Sequence, residues 1–364
     1  MKKFLLRSSF VFCSFALSVP GVSPVPAAPA EKSSASLHYE AWMKQPVPIP
    51  RAENTLPTVT AEPWFQVPGG GRVLEGAVID AKGSLIFSDV TGHRVMRLTP
   101  DKKLSVVVEL KGLSPAGLAL HKDGSIFITA VFPEPDGRSV LSVNPDGSNL
   151  KEIVPAIAGY VPDDMVFDAK GGFYFTDFRG TSTEPSGGVF YVSPDFTTIT
   201  PVVRHLARAN GIALSPDGKT LWITEYARGL LHRVELADAV TSLPVGTAIA
   251  SHFIGPAPDS MRADADGNLY VAMHRQGRFL VFNKNGIPIS QILIPGREQG
   301  RYMKSTSLAL SPKGPEAWLL AGDGDTRPSD LHLHFSRRFS NTDILFHAHT
   351  SVGSSNSEYG RSSR

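Results

Sequence analysis

From about residue 73 the chain alternates short apolar runs with small polar turns, and it does so on a fixed period. Asp80-Ala81-Lys82-Gly83 precedes Ser84-Leu85-Ile86-Phe87-Ser88-Asp89, and Lys122-Asp123-Gly124 precedes Ser125-Ile126-Phe127-Ile128-Thr129. The unit returns at Gly171, Gly218 and Gly267, each time ahead of an aromatic-containing run, and in a degraded form at Gly314 ahead of Trp318-Leu319-Leu320. The marker glycines stand roughly 41–49 residues apart, the period of propeller blades. Within each unit an apolar strand such as Gly211-Ile212-Ala213-Leu214 runs into an Asp-Gly type turn, where glycine supplies the positive φ of a tight hairpin. An aromatic-rich strand returns, and a further strand such as Phe279-Leu280-Val281-Phe282 follows. Three or four strands per unit, six units and no helical periodicity predict an all-β, six-bladed β-propeller of four-stranded antiparallel blades. Residues 62–67, ahead of the first unit, are a spare outer strand expected to close the ring by pairing with the last blade.

The repeat also marks a site. Eight residues before each marker glycine, at the start of each blade's first strand, stand Glu75, Ala116, Asp163, Asn210, Asp259 and Thr306. First strands of blades lie innermost, so these positions ring one mouth of the central channel. Four of the six carry a carboxylate or carboxamide on strands otherwise built from Ile, Val, Leu and Ala. Carboxylates crowded on one axis repel one another unless a cation neutralises them. Oxygen donors without His or Cys suit Ca²⁺, with Mg²⁺ as the second choice, and not zinc. Ser260, beside Asp259, can add another oxygen. The expectation is a channel that contains a metal, held by Glu75, Asp163, Asn210, Asp259 and Ser260. Loops leaving the second strands surround the same opening (89–93, 132–136, 177–183, 225–228, 274–278 and 323–327) and are expected to wall a substrate pocket. From them Asp177, Arg179 and His274 are taken as candidate substrate-binding residues.

The N-terminus differs from the rest. Lys2, Lys3 and Arg7 precede an uncharged apolar stretch at 10–19, and Pro26-Ala27-Ala28-Pro29-Ala30 supplies small residues for cleavage. This pattern predicts a signal peptide over 1–30 and an exported, periplasmic or secreted protein, with an N-terminal anchor as the alternative. The apolar stretch falls short of the roughly 20 residues that span a bilayer, so no membrane association is expected after cleavage. The one cysteine, Cys13, lies inside this segment, which leaves the remainder without disulfide or thiolate chemistry. A formal charge of +2 and no basic run interleaved with aromatics argue against a nucleic-acid partner. The division expected is a flexible lead-in at 31–58, the propeller at 59–335, with Leu331-His332-Leu333-His334-Phe335 as a last strand, and a polar tail at 336–364.

Leu74-Glu75-Gly76, Asp163-Asp164-Met165-Val166-Phe167-Asp168, Ala209-Asn210-Gly211-Ile212-Ala213-Leu214 and Pro258-Asp259-Ser260 resemble the senescence-marker-protein/gluconolactonase (regucalcin-like) family of calcium propellers. Within it, Gly171-Gly172-Phe173-Tyr174-Phe175-Thr176-Asp177 and Asn268-Leu269-Tyr270-Val271-Ala272-Met273 are most similar to its branch of bacterial drug-responsive lactonases. The resemblance implies a catalytic Ca²⁺ on Glu75, Asn210 and Asp259, with Asp163 and Ser260 added in that branch, and Asp259 as catalytic acid or base. It also implies a second, structural calcium near Pro135, Gly137, Pro155, Ala158 and Tyr160. Several of its oxygen-bearing side chains are replaced here by Pro or Ala, so that site is expected to be weakened or lost. The function expected is calcium-dependent hydrolysis of a small aromatic or sugar-type lactone. No Gly-x-Ser-x-Gly motif supports a serine nucleophile. The competing readings are a calcium-stabilised propeller that binds without turnover and a related esterase or phosphotriesterase.

Overall fold

Six β-sheets follow one another along the chain, each meandering outward from a strand at the axis. The computed structural model describes residues 37, 39–69, 73–132, 138–323 and 344–349. The expected signal segment, the strand proposed at 331–335, and Pro135 and Gly137 lie outside the described residues. All described strands belong to the unit Ala41–Arg364.

The inner strands are Leu74–Ile79, Ser114–Leu120, Pro162–Phe167, Ala209–Leu214, Pro258–Ala263 and Lys304–Leu310. They begin blades 1 to 6 in that order. Each pairs antiparallel with the second strand of its blade, for example Phe167 with Phe173 and Leu214 with Leu221. The second strands Leu85–Asp89, Phe173–Asp177 and Leu269–Met273 are buried at every position. That explains their unbroken apolar runs: neighbouring blades cover both faces. The outer strand Leu104–Glu109 has no such cover and keeps polar or exposed positions.

Among the described residues, six apolar clusters lie one at each blade-to-blade junction, and a small seventh of Ala116, Val131 and Val161 packs beside Phe178. Leu74, Phe87 and Met96 of blade 1 pack against Ala309 and Leu320 of blade 6, so the ring is closed. Closure comes from strand exchange. Glu62–Gln66 pairs antiparallel with Ile344–His349, which pairs in turn with Glu316–Gly322. The spare N-terminal strand therefore completes the last blade, as its pattern predicted. The third strand of that blade is Ile344–His349, within the segment assigned from sequence to a tail. The propeller reaches at least to 349 rather than ending at 335, because the second strand Glu316–Gly322 needs a partner for its outer edge.

Five sheets have four strands, but that of blade 5 has five, because Thr58–Thr60 adds in parallel to Pro288–Leu293. The lead-in is correspondingly docked from 41 onward. Arg278, fully buried, forms a 2.6 Å ion pair with Glu53, and Arg297 Nη2 donates to the Val47 carbonyl at 2.7 Å. Breaking a buried pair leaves its partner uncompensated. Replacing Glu53 by Ala should lower stability by about 3–5 kcal/mol. A urea melt that moves by less than 1 kcal/mol, roughly the worth of an exposed pair, would show that the strap is not held this way.

Candidate functional site

The start of every inner strand departs from regular pairing. The register slips between Glu75 and Val78, Pro115 and Leu118, Pro162 and Met165, Ala209 and Ile212, Pro258 and Met261, and Ser305 and Leu308. The six axial positions found by counting thus sit at six β-bulges, and a bulge re-aims a side chain out of the ladder.

A bulge leaves backbone groups that need partners, and a hydroxyl on the second strand supplies them. Thr224 Oγ1 accepts the Gly211 N–H at 2.7 Å and donates to the Asp259 carbonyl of the next blade at 2.8 Å. Thr176 accepts the Asp164 N–H at 3.0 Å and donates to the Asn210 carbonyl at 2.6 Å. Thr129 donates to the Asp163 carbonyl at 2.6 Å. Blade by blade, each threonine fixes the backbone of the next axial residue. Gly117 and Gly211 permit that approach, since a Cβ on either would come within 2.5 Å of the Asp163 or Asp259 carbonyl.

Glu75, Ala116, Asp163, Asn210 and Asp259 line one axial cavity of about 160 Å³. Its wall continues through Phe178, Arg208, Tyr226, His274 and Arg275. Ser260 is buried and donates its N–H to Asp259 Oδ1 at 3.1 Å. Thr306, at the sixth position, instead donates to the Leu74 carbonyl at 2.7 Å. Below the cavity, Arg262 of blade 5 reaches Asp164 of blade 3 at 2.9 Å. This pair stands between the carboxylates and the apolar opening at the opposite end, which Leu118, Met165, Ile212 and Arg262 line.

The electrostatics follow from burial. The Glu75 carboxyl is pushed well above the usual carboxylate range, first by burial and then by Asp259, Asp163 and Asp164. Asp259 is likewise raised, by burial and then Asp163, against the pull of Asn210 and the Ser260 amide. Both groups gain affinity for protons on folding. Without a cation their contribution to stability is therefore fullest below about pH 4, the ordinary carboxylate range, and is lost as pH rises through their raised values. Cation-free protein should melt at lower temperature at about pH 8 than at about pH 5, and the gain from added Ca²⁺ should be larger at the higher pH. Melts with chelator and with calcium test this; a calcium gain that shrinks as pH rises would contradict it.

His274 is buried and its imidazole is pushed down to about 3 by burial, with Arg275 and Lys304 adding to the effect, so the ring is neutral. Its Nδ1 lies 2.9 Å from the Tyr226 hydroxyl. When that hydroxyl donates, Nε2 carries the ring proton. Asp177 and Arg179 are arranged differently. Asp177 is fully buried, accepts the Val161 N–H at 3.0 Å and is paired with Arg179 Nε at 2.8 Å. Neither is among the residues lining the axial cavity; together they tie the exit of blade 3's second strand. Tyr160 packs on Phe190 at 4.4 Å. Among the described residues no group of three or more His, Cys, Asp or Glu side chains forms a ready-made metal cluster. Of the expected metal-containing channel, the structure shows the six-bladed propeller and an axial cavity lined by oxygen donors, not a metal-containing channel. Two observations fit a hard cation there: the Asn210 Oδ1 is buried with no hydrogen-bond partner, and carboxyls are crowded beside it.

Fold and cavity together define a six-bladed β-propeller with oxygen donors gathered at one end of its axis. The description "SMP-30/Gluconolactonase/LRE-like region" matches residues 73–300, and the chain belongs to that family. It is 46% identical over 291 residues to the lactonase drp35 of Staphylococcus saprophyticus, covering 79% of this chain and 90% of that protein. It is 45% identical over 281 residues to the lactonase drp35 of Staphylococcus aureus USA300, covering 76% and 86%. Among solved structures it resembles the calcium-binding protein regucalcin of Agrobacterium tumefaciens, with a TM-score of 0.61, 18% identity and coverage of 80% and 95%. A gluconolactonase of Xanthomonas campestris gives a TM-score of 0.59 at 17% identity, covering 76% and 86%. At these identities the structural likeness speaks for the fold.

Proposed function

We propose that this protein is a lactonase that opens small lactones at the axial cavity with a bound Ca²⁺. The single observation that carries the reading is the gathering of Glu75, Asp163, Asn210 and Asp259 from four blades into the lining of one cavity, in a chain some 45% identical to lactonases. Glu75, Asn210 and Asp259 would hold the ion, with Asp163 and Ser260 beside them. When bound, the ion supplies Lewis-acid polarisation of the lactone carbonyl and stabilises the negative charge that develops as water attacks.

The residues do the rest. Asp259 accepts a proton from the attacking water as the acyl carbon–oxygen bond forms, then returns it to the alkoxide as the ring carbon–oxygen bond breaks, giving a hydroxy acid. His274, neutral and oriented by Tyr226, presents a hydrogen-bond donor to the substrate without bringing a charge near the carboxylates. Phe178 and Tyr226 give an apolar wall for the ring. The basic and then apolar start of the chain supports export.

The test is a panel of aromatic and sugar lactones, with an aryl phosphotriester as comparison, assayed after exhaustive chelation and after calcium return. The expected result is ring opening that disappears with chelation and returns with Ca²⁺. Turnover indifferent to the chelator would remove the metal from the reading. Binding of lactones with no product would replace the enzyme by a binding propeller.

A further inference from the structure

The floor of the axial cavity is acidic, but its rim has the opposite sign. Arg208, on the turn entering blade 4, and Arg275, on the loop leaving the second strand of blade 5, both line it and are both exposed. Among the described residues, neither has a carboxylate partner. Nearby guanidiniums are engaged: Arg94 with Asp89, Arg179 with Asp177, Arg228 with Glu225, and Arg278 with Glu53. Arg208 is aimed by its surroundings. Its Nε donates to the Gly180 carbonyl at 3.4 Å, and its guanidinium lies 5.3 Å from the Phe178 ring. Arg275 follows His274 in left-handed backbone, φ 65°.

Between rim and floor stand Phe178 and Tyr226, joined edge to face at 5.7 Å. The same cavity thus holds two exposed guanidiniums and an aromatic wall apart from its buried oxygen donors. A guanidinium fork matches a carboxylate in shape and charge, whereas a neutral ligand offers neither arginine a counter-charge.

Building on the lactonase reading, we propose that the preferred substrates are small lactones carrying a carboxylate remote from the ring carbonyl. The carboxylate engages Arg208 and Arg275, and the carbonyl is thereby directed to the floor. The arginines act as specificity-determining residues.

The experiment compares an unsubstituted benzo-fused δ-lactone with the same lactone bearing a ring carboxylate. At low ionic strength the carboxylated lactone should have a kcat/KM about tenfold higher, mainly through KM, as expected for charge-assisted hydrogen bonds. The preference should shrink in about 0.5 M salt. In Arg208→Gln/Arg275→Gln the ratio should fall to within about twofold of one, and Lys at both positions should restore part of it. The single variants carry the test should the double variant fail to fold. Equilibrium binding of both lactones to the Asp259→Asn protein gives a second readout that needs no turnover. Equal kcat/KM for the two lactones, or a preference that survives the double variant, overturns the proposal and leaves the lactonase reading intact. Selective binding of the carboxylated lactone that the double variant abolishes, without ring opening by the wild type, keeps the rim assignment and overturns the lactonase reading.

Discussion

Replacing Asp259 by Asn should reduce lactone opening by about 10²–10⁴-fold while the propeller remains folded. The substitution changes almost nothing in shape. The Asp259 carbonyl stays held by Thr224, and an amide oxygen can still accept the Ser260 N–H that Oδ1 accepts now. What is lost is the group that takes and returns a proton, together with one negative charge facing the cation. Stability should move the other way. Burial and neighbouring carboxylates already disfavour ionised Asp259, so removing its charge relieves repulsion in the cation-free state. The check is a pH-stat assay beside thermal melts in chelator: a variant within about threefold of wild-type rate, too small a change for a lost acid–base group, would take Asp259 out of the chemistry. A variant that melts far below wild type would make its role architectural.

The second large effect is expected at the other end of the chain. Truncation that removes residues 344–364 should abolish cooperative folding, whereas truncation after His349 retains both strand ladders and serves as the reference. Among the described residues, Ile344–His349 is the one strand that joins Glu62–Gln66 to Glu316–Gly322. Without it the first described strand of the last sheet has no partner, and Trp318 loses the His347 ring that lies 5.7 Å away. Ala348 is lost from the core shared by blades 5 and 6, and Trp64 and Phe65, no longer anchored, leave the junction of blades 6 and 1. The loss is comparable with the whole stability of an ordinary domain, about 5–15 kcal/mol. Circular dichroism and limited proteolysis decide it; a truncated chain with a wild-type melt would mean that the ring is sealed elsewhere.

Much of this architecture is written in the sequence, for reasons that are physical. An Asp-Gly turn must stand at a fixed distance from the axis in every blade, so the glycines keep time and counting back from them reaches Glu75, Asp163, Asn210 and Asp259. The bulges do not show, because a register slip is a property of two strands and leaves no residue type behind. Thr129, Thr176 and Thr224 recur visibly at the ends of second strands, yet nothing in a threonine says that its hydroxyl serves the next blade. Tyr226 falls in the wall loop 225–228 expected from the sequence and does line the cavity, whereas Arg208 lies off the repeated position, outside all of those loops. Asp177 and Arg179 were named from a mouth loop, but proximity along the chain does not tell whether a carboxylate faces the cavity or its own neighbour. The last blade was misjudged in extent because roughly twenty residues, 324–343, separate two strands that hairpins ordinarily join with two to five. Strand Thr58–Thr60 was hidden by its short length and by the prolines before it.

The Arg262–Asp164 pair acts as a strut. It ties blade 5 to blade 3 without passing through blade 4, and its two ends stand one residue from Asp163 and three from Asp259. The spacing of those two carboxylates is thereby pinned by a contact that neither of them makes.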